Sequence, residues 1–262
     1  MSRWSYGGWA LVTGASSGIG EAFARLLAAR GMHLALSARR EERLRALAAE
    51  LGAAHGVQTA VVAADLARPG AAQPLWEQAT AGGREVRLLV NNAGFGLYGR
   101  FDTLPRERQV AMVQLNCTAL LELAHLALPA MRRRGAGGIV NVASTAAFQP
   151  IPDFAVYAAS KAFVLSFSQA LWAEHRAAGV RVVALCPGAT PTEFQQVAGT
   201  RRSARTPGVL SAEQVVAAGL RALEKGRSYV TPGVVNVLTS RAGRLFPLET
   251  ITRLAGAVLR RA

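Results

Sequence analysis

Short apolar segments alternate with helical patterns along most of the chain, and this alternation constrains the fold more than any other feature. The apolar segments are rich in Val, Leu and Ala without strict two-residue alternation, which is typical of parallel strands buried on both faces. The pattern predicts a single α/β domain over residues 1–262, with a doubly wound parallel sheet, helices on both faces and right-handed crossovers. The predicted strands are Trp9–Thr13, Met32–Ala38, Val57–Ala64, Val86–Val90, Gly138–Ala143, Val180–Cys186 and Ser228–Thr231.

The longest helical pattern, Arg106–Arg133, predicts a long helix. The other predicted helices are Gly18–Arg30, Glu41–Leu51, Gln73–Ala81, Phe154–Ala178 and Ala212–Glu224. Two stretches break the alternation. The segment Thr190–Ser211 contains prolines, glycines and hydroxyl residues that predict a mobile segment, and residues 233–262 form a basic, partly amphipathic tail.

The formal net charge of +14 is carried almost entirely by arginine, since Lys161 and Lys225 are the only lysines. A basic excess fits nucleic acid, an anionic membrane or an anionic ligand. The arginines are scattered, are not interleaved with aromatic residues and accompany no nucleic-acid-binding motif, so we favour a solvated surface. The two cysteines have no metal-ligand spacing, and the four histidines do not cluster, so no metal site is expected. No signal-peptide pattern and no apolar run of ~18 residues is present, which predicts a cytoplasmic location.

A glycine-rich turn separates the first predicted strand from the first predicted helix. Its spacing is G-x-x-x-G-x-G, and glycines let backbone N–H groups approach a pyrophosphate at the helix N-terminus. The alternative is a tight strand-to-helix connection without a ligand, but the position in the first βα unit favours a nucleotide. The candidate cofactor-binding residues in this turn are Gly14, Ser16, Ser17, Gly18, Ile19 and Gly20.

The second predicted strand ends with Ser37, Ala38, Arg39 and Arg40. A carboxylate at this position would bind the ribose 2′-hydroxyl of NAD(H), and Ala38 cannot do so. The planar fork of Arg39 can instead pair with a 2′-phosphate. The sequence therefore favours NADP(H), with NAD(H) as the other option. In the alternative interpretation, Arg39 and Arg40 only begin a charged helix together with the glutamates that follow.

Several ordered motifs make the chain resemble the short-chain dehydrogenase/reductase family from about Trp9 to Thr192. The resemblance implies a sheet of about seven strands in the order 3-2-1-4-5-6-7. The motifs are TGASSGIG at Thr13–Gly20, Asp65-Leu66, Asn91-Asn92-Ala93-Gly94, Asn116, Ser144, Tyr157-x-x-x-Lys161 and Pro187-Gly188.

The family resemblance also implies roles for residues beyond the glycine turn. Residues matching Asp65 and Leu66 border the adenine, and Asn116 distorts its helix and holds a water that links Lys161 to solvent. The helix with Tyr157 and the long helix before it form dimer or tetramer interfaces in relatives, so a homodimer or homotetramer is expected. Residues implied to support the cofactor or to contact its nicotinamide side are Asn92, Ala93, Gly94, Pro187, Gly188, Thr190 and Thr192.

Tyr157 and Lys161 are four residues apart on a predicted helix and therefore share a face, while Ser144 closes the preceding strand. A phenol has a pKa of ~10, and a nearby ammonium is expected to lower that value. Tyr157 is the candidate proton donor and acceptor, Ser144 the donor to the substrate oxygen, and Lys161 a ligand of the ribose hydroxyls. The alternatives are an ordinary amphipathic face for Tyr157 and Lys161, and a cap for Ser144.

These residues predict an NADPH-dependent oxidoreductase acting on a small-molecule carbonyl or alcohol, and the alternative is a non-catalytic NADP(H)-binding sensor or scaffold protein. The apolar tail with its arginines fits docking on an anionic membrane, but we favour packing on its own domain or on a partner subunit. Side chains that predict an apolar substrate pocket, or alternatively belong to the core, are Phe95, Leu97, Tyr98, Phe101, Phe148, Ile151 and Phe154. The tail residues are Leu245, Phe246, Leu248, Ile251, Leu254, Val258, Arg241, Arg244, Arg253, Arg260 and Arg261.

Overall fold

The computed structural model describes residues 5–199, 208–242 and 247–261. Seven parallel strands form one sheet in the order β3-β2-β1-β4-β5-β6-β7, which confirms the predicted architecture and strand order. The strands are β1 (Trp9–Thr13), β2 (His33–Ala38), β3 (Thr59–Ala63), β4 (Val86–Asn91), β5 (Gly137–Val142), β6 (Val180–Leu185) and β7 (Tyr229–Val230).

Ten α-helices in the described ranges accompany the sheet. They are α1 (Gly18–Ala28), α2 (Glu41–His55), α3 (Ala72–Thr80), α4 (Arg106–Val113), α5 (Ala119–Arg134), α6 (Ala155–His175), α7 (Phe194–Ala198), α8 (Ala212–Glu224), α9 (Val234–Ala242) and α10 (Leu248–Arg261).

Successive residues of β1 enter two different apolar layers, as a strand buried on both faces requires. Ala10 and Val12 pack with α1, α2 and α8 on one face, whereas Trp9 and Leu11 pack with α3 and α5 on the other. All five residues of β1 are buried. Burial on both faces explains why the strands lack the alternation of apolar and polar residues seen in half-exposed strands.

The predicted long helix Arg106–Arg133 is divided into α4 and α5 in the structure. Residues Gln114–Thr118 form a π-helical turn between α4 and α5. The family resemblance implied this distortion at Asn116. Asn116 lies within the π-helical turn, which holds one more residue per turn than an α-helix, and its side chain hydrogen-bonds to the backbone of Phe95. By length and composition alone the joined helices could cross a bilayer, but α5 packs on β4 and β5 of the sheet.

Most element boundaries differ from the predictions by a few residues. Helix α2 was predicted to end at Leu51, but it continues to His55 because the first residue to leave helical geometry is Gly56, in the left-handed region at φ 66°. Helix α6 ends at His175, and a 3₁₀ turn, Arg176–Ala178, follows where the prediction continued the helix. These differences do not change the type of any predicted element.

The segment Thr190–Ser211 was predicted to be mobile and without regular structure, and its first part contains the short helix α7. Residues 200–207 lie outside the described residues, so that part of the prediction is not addressed. The tail is helical in α9 and α10, with Leu248 and Leu254 exposed. Arg244, Leu245 and Phe246 lie outside the described residues, as do the side chains of Val258, Arg260 and Arg261.

A buried polar network joins the middle of the sheet to α6. The Asn91 amide nitrogen donates to Asn141 Oδ1 at 2.9 Å, and these two residues are paired in register on β4 and β5. Asn141 Nδ2 in turn donates to the Ser168 hydroxyl on α6 at 2.9 Å. Buried amides are costly without partners, so this network stabilises one register of β4 against β5 and one height of α6.

Candidate active site

The glycine turn after β1 has a shape that side chains would block. Gly14 and Gly18 have φ values of +66° and +58°, in the left-handed region that favours glycine. A Cβ at Gly20 would overlap the carbonyl oxygen of Gly14 and lie 2.5 Å from the Asn92 amide nitrogen. Helix α1 begins at Gly18, so its first N–H groups and its positive dipole end face the turn. Ile19 is half-buried and packs on the core beneath the turn.

Asn92 and Ala93 hold this turn against the end of β4. Asn92 Nδ2 donates to the carbonyl oxygens of Thr13 at 2.9 Å and Gly14 at 3.3 Å. The Thr13 hydroxyl accepts from the backbone N–H groups of Asn92 and Ala93, both at 3.0 Å. The two neighbouring asparagines therefore have different partners: Asn92 supports the turn, whereas Asn91 belongs to the network inside the sheet.

The residues at the end of β2 and directly after it differ in their contacts. Arg39 is exposed and makes no ion pair within the part of the chain that the structure describes. Arg40 donates to the hydroxyls of Ser16 and Ser17, both at 3.0 Å, and so lies against the glycine turn. The Ser37 hydroxyl is buried at the end of β2 and has no hydrogen-bond partner among the described residues.

Arg40 also forms an ion pair with Glu193 at 2.7 Å, and Arg43 pairs with the other oxygen of the same carboxylate at 2.6 Å. Hydrogen bonds from Arg43 and Arg40 lower the pKa of Glu193 to about 2. The sequence analysis did not identify Glu193, because a contact between residues 150 positions apart leaves no local pattern.

Asp65 and Leu66 lie beyond the end of β3, at the same edge of the sheet. Asp65 Oδ1 accepts from the backbone N–H of Ala67 at 3.2 Å, which stabilises the local turn. Leu66 is buried in the layer that contains α3 and α5. Their position at the carboxyl end of a strand two places from β1 agrees with the expected location at the adenine side of a dinucleotide.

Ser144 and Tyr157 meet at the carboxyl end of β5. Ser144 follows this strand, and its hydroxyl accepts from the N–H of Ala146 at 3.1 Å within a short 3₁₀ turn, Thr145–Phe148. Tyr157 lies in the first turn of α6, is 7% exposed and is close enough to the Ser144 hydroxyl for that group to lower the pKa of the phenol. Lys161 follows one turn later, is 5% exposed and has its Nζ 5.8 Å from the centroid of the Tyr157 ring.

Burial dominates the acid–base properties of Tyr157 and Lys161. Burial raises the pKa of Tyr157 to about 12, although the neighbouring Ser144 hydroxyl lowers this pKa. It lowers the pKa of Lys161 to about 8, and the ammonium donates to the Val142 carbonyl oxygen at 2.8 Å. The expectation that Lys161 lowers the pKa of the phenol is not met in this structure, because desolvation by burial is the largest cause of the shift and Ser144, not Lys161, is the group that opposes it.

The lowered pKa of Lys161 predicts a pH-dependent stability that can be measured. Between pH 8 and 10.5 the unfolded chain binds a proton that the folded chain has released, so the free energy of unfolding rises with pH. A shift from 10.5 to about 8 corresponds to at most about 3 kcal/mol. Lys161→Met should remove this rise in urea unfolding experiments across the window. Lys225→Met, at the exposed second lysine, should retain it, and equal slopes in both variants would contradict the assignment.

Asn116 connects the loop after β4 to the backbone of Tyr157. Its Oδ1 accepts from the N–H of Phe95 at 3.2 Å, and its Nδ2 donates to the Phe95 carbonyl and the Ser160 hydroxyl, both at 3.0 Å. Ser160 donates to the Tyr157 carbonyl at 2.7 Å. A Cβ at Gly94 would lie 2.9 Å from Asn116 Oδ1 and 3.4 Å from Lys161 Nζ, so Gly94 lies between these two side chains.

The turn after β6 approaches both the serine and the glycine turn. The Pro187 carbonyl accepts from the N–H of Thr145 at 2.9 Å, beside Ser144. A Cβ at Gly18 would lie 2.8 Å from the Thr192 methyl group, so Thr192 covers the glycine turn. Thr190 is buried, and its hydroxyl points back to the Gly188 carbonyl at 3.4 Å. Of the two threonines, Thr192 is the one next to the glycine turn.

The apolar side chains predicted for a substrate pocket divide into two groups. Leu97, Ile151 and Phe154 are buried in one cluster with Tyr157, and Phe95 and Tyr98 pack against it. Phe101 and Phe148 lie elsewhere: Phe101 is 65% exposed, and Phe148 packs near Tyr229. These two residues are not part of the cluster around Tyr157, so the structure gives no support for their place in the predicted lining.

One aromatic residue near Tyr157 was not identified from the sequence. Phe194, the first residue of α7, has its ring centroid 5.3 Å from that of Tyr157, and Phe154 lies on the tyrosine at 4.5 Å. A Cβ at Gly96 would lie 2.9 Å from both phenylalanine rings, so the glycine leaves room for them. Phe194 lies six residues after Gly188 in the segment predicted to be mobile, so no local pattern in the sequence pointed to its contact with Tyr157.

Comparison with known proteins agrees with this fold and identifies the family. The family model described as short chain dehydrogenase matches residues 8–203. The chain therefore belongs to the short-chain dehydrogenase/reductase family, a class of oxidoreductases acting on hydroxyl and keto groups. The resemblance inferred from the ordered motifs is confirmed.

Three individual relatives each align with most of this chain. It is 34% identical over 226 residues to a very-long-chain 3-oxoacyl-CoA reductase of Anas platyrhynchos, covering 84% of this chain and 72% of the relative. A short-chain dehydrogenase from Sphingobium yanoikuyae, solved in complex with NADPH, superposes with a TM-score of 0.80 at 35% identity, over 91% of this chain and 95% of that one. An inactive hydroxysteroid dehydrogenase-like protein 1 of Mus musculus is 35% identical over 72% of this chain and 59% of the relative.

Proposed function

We propose that this protein transfers hydride between a nicotinamide cofactor, preferably NADP(H), and an apolar carbonyl or alcohol substrate. The observation that carries the proposal is the buried Tyr157, which lies with Ser144 and Lys161 at the same edge of the sheet as the glycine turn. This arrangement places a proton donor and a second hydrogen-bond donor beside a cradle for a dinucleotide. Such a combination suits reduction of a carbonyl group and its reversal.

The glycine turn fits the pyrophosphate of a dinucleotide because side chains at Gly14, Gly18 or Gly20 would collide with their surroundings. The N-terminus of α1 supplies N–H groups and a favourable dipole for the phosphates. Arg39 would hold a 2′-phosphate, Thr192 would cover the pyrophosphate, and the buried Ser37 hydroxyl offers a further donor. The NADPH-bound relative from Sphingobium yanoikuyae supports this assignment.

In this mechanism, the bound nicotinamide gives or accepts the hydride. Burial keeps the Tyr157 phenol protonated at neutral pH, so it can donate to the oxygen that gains charge during reduction and recover the proton in oxidation. Ser144 donates a second hydrogen bond to the same oxygen. The Lys161 ammonium, 5.8 Å from the ring centroid, stabilises the phenolate that remains after proton transfer. Asn116 holds the start of α6 through Ser160.

The surroundings of Tyr157 favour an apolar substrate. Phe154, Phe194 and Leu97 contribute to a continuous apolar cluster around the tyrosine, and such linings exclude water from a reacting carbonyl. The name of the Anas platyrhynchos relative, a reductase of very-long-chain 3-oxoacyl-CoA, agrees with an apolar substrate body. We therefore place ketones with large apolar substituents first among the candidates.

An exposed apolar face supports the expectation of a homodimer or homotetramer. Val110 and Val113 on α4, Leu121 on α5 and Phe163 on α6 are exposed to solvent in the single chain. Large exposed apolar side chains on neighbouring helices are typical of subunit interfaces. We include association through the face formed by α4, α5 and α6 in the proposal.

A non-catalytic NADP(H)-binding sensor or scaffold is the second candidate, because a relative named as inactive matches the chain. The grouping of Ser144, Tyr157 and Lys161 at one edge of the sheet favours the enzyme, since a sensor needs no proton donor. A screen of ketones, aldehydes and alcohols with NADPH and NADH in parallel separates the two. Turnover of any substrate supports the enzyme. Tight NADPH binding without turnover across a panel that includes bulky apolar ketones supports the sensor.

Arg39→Ala tests the cofactor preference. A charge-assisted hydrogen bond to a phosphate contributes about 1.5–3 kcal/mol, so NADPH should bind roughly 10- to 100-fold more weakly, while NADH changes by less than about twofold. Titration by tryptophan fluorescence or calorimetry measures both constants. Arg45→Ala is the matched control, because Arg45 lies on the exposed side of α2 and pairs with Glu41. An equal loss of NADPH affinity in both variants would mean that the effect comes from net charge alone and not from a contact of Arg39 with the 2′-phosphate.

A further inference from the structure

A single carboxylate links the segment after β6 to the start of α2. Glu193 Oε2 lies 2.7 Å from Arg40 Nη1, and Glu193 Oε1 lies 2.6 Å from Arg43 Nη1. We call these two ion pairs the Glu193 bridge. All three side chains remain between 40% and 54% exposed, so a soluble anion can reach them without unfolding the segment.

Arg40 participates in two different sets of contacts. One side of its guanidinium donates to the hydroxyls of Ser16 and Ser17 in the glycine turn, and another nitrogen pairs with Glu193. Under the proposed function, the 2′-phosphate of NADP(H) lies beside this turn and the end of β2. A phosphate dianion at this position and the Glu193 carboxylate are therefore competitors for one cation.

The Glu193 bridge is continuous with the cover of the active site. Glu193 immediately precedes α7, whose first residue, Phe194, lies 5.3 Å from Tyr157 between ring centroids. The other end of α7 is held by the N–H of Tyr98, which donates to the Ala198 carbonyl at 2.9 Å. Exchange of partners at Arg40 therefore occurs next to the N-terminal end of this helix.

We propose that Glu193 is a cofactor-specificity determinant, an internal counter-ion that occupies Arg40 and must release it when a 2′-phosphate binds. The inference rests on the proposed binding of NADP(H). It follows that Glu193 reduces the affinity for 2′-phosphorylated cofactors and leaves unphosphorylated ones unaffected. Arg43 retains the carboxylate when Arg40 turns to the phosphate, so the exchange does not leave an unpaired charge.

Glu193→Gln tests the inference with ligands that lack the nicotinamide, namely adenosine 2′,5′-bisphosphate and AMP, by calorimetry at low ionic strength. Exposed ion pairs contribute up to about 1 kcal/mol, so bisphosphate binding should tighten about three- to fivefold, with AMP changed by less than about 1.5-fold. The same comparison in an Arg40→Met background should show no effect of Glu193→Gln, because the contested cation is absent.

Glu41→Gln is the matched control, since it removes the same charge from the start of α2 but from a residue paired with Arg45. It should change neither constant by more than about 1.5-fold. Equal tightening for both ligands, equal tightening in Glu41→Gln, or weaker bisphosphate binding in Glu193→Gln would overturn the inference alone. If the unmodified protein bound the bisphosphate no better than AMP, both the proposed NADP(H) preference and the inference on Glu193 would be refuted.

Discussion

Replacing Tyr157 with phenylalanine is expected to lower kcat for carbonyl reduction by about 10²- to 10⁴-fold, the usual contribution of a positioned acid or base. The variant removes one hydroxyl and keeps the ring, which packs between Phe154 and Phe194. The aromatic cluster and the cofactor cradle should therefore persist, and NADPH affinity should change by less than about twofold. Steady-state kinetics on a substrate from the carbonyl screen, with NADPH titration alongside, measures both quantities.

Tyr98→Phe is the matched control for this experiment. Tyr98 packs against the same cluster, with its ring centroid 6.1 Å from that of Phe154. This variant therefore also removes one phenol hydroxyl from a tyrosine that packs on the cluster. Its kcat should remain within about twofold of the unmodified protein, because its hydroxyl transfers no proton in the proposed mechanism. Full turnover by Tyr157→Phe would refute the assignment of Tyr157 as the proton donor.

Gly20→Ala is expected to damage cofactor binding and stability together. The added methyl group would overlap the Gly14 carbonyl oxygen and approach the Asn92 amide, which holds the turn in place. Overpacking of a tight site costs about 1–3 kcal/mol, which corresponds to roughly 10- to 100-fold in the NADPH dissociation constant if the turn yields. Fluorescence titration and thermal unfolding measure the two effects.

Gly52→Ala distinguishes this collision from a general effect of alanine. Gly52 lies inside α2, where an added Cβ would be 3.5 Å from the Val57 carbonyl oxygen, an ordinary contact. Alanine is the better helix former by about 1 kcal/mol, so this variant should be neutral or more stable and should bind NADPH normally. Unchanged NADPH binding by Gly20→Ala would show that the turn is not the pyrophosphate cradle.

The sequence was informative where the physical cause is local or repeated. Apolar runs predicted all seven strands, because strands buried on both faces need nearly continuous Val, Leu and Ala. Glycines predicted the turn after β1, since their positions correspond to the left-handed backbone at Gly14 and Gly18. Ordered motifs then supplied the strand order and the grouping of Ser144 with Tyr157, which spacing alone could not establish.

The parts that could not be predicted depend on distant segments meeting. Glu193 pairs with arginines about 150 positions earlier, and Phe194 packs on Tyr157 from a segment expected to be irregular. The direction of the Tyr157 pKa change was also missed, because the degree of burial is a property of the assembled fold. Phe101 and Phe148 were assigned to the pocket from loop position, but Phe101 is 65% exposed and Phe148 packs beside Tyr229 rather than in the cluster around Tyr157.

The hydrogen-bonded amides of Asn91 and Asn141, joined to Ser168, have a consequence for how this scaffold can be varied. They hold the height of α6 from inside the sheet, three turns below Tyr157, so the proposed proton donor is positioned from within the sheet as well as by the surrounding loops. Under the proposed function, the loops after β4 and β6 could change in length and composition while Tyr157 keeps its place on α6. Such an arrangement would separate the segments proposed to select a substrate from the residues proposed to carry out the reaction.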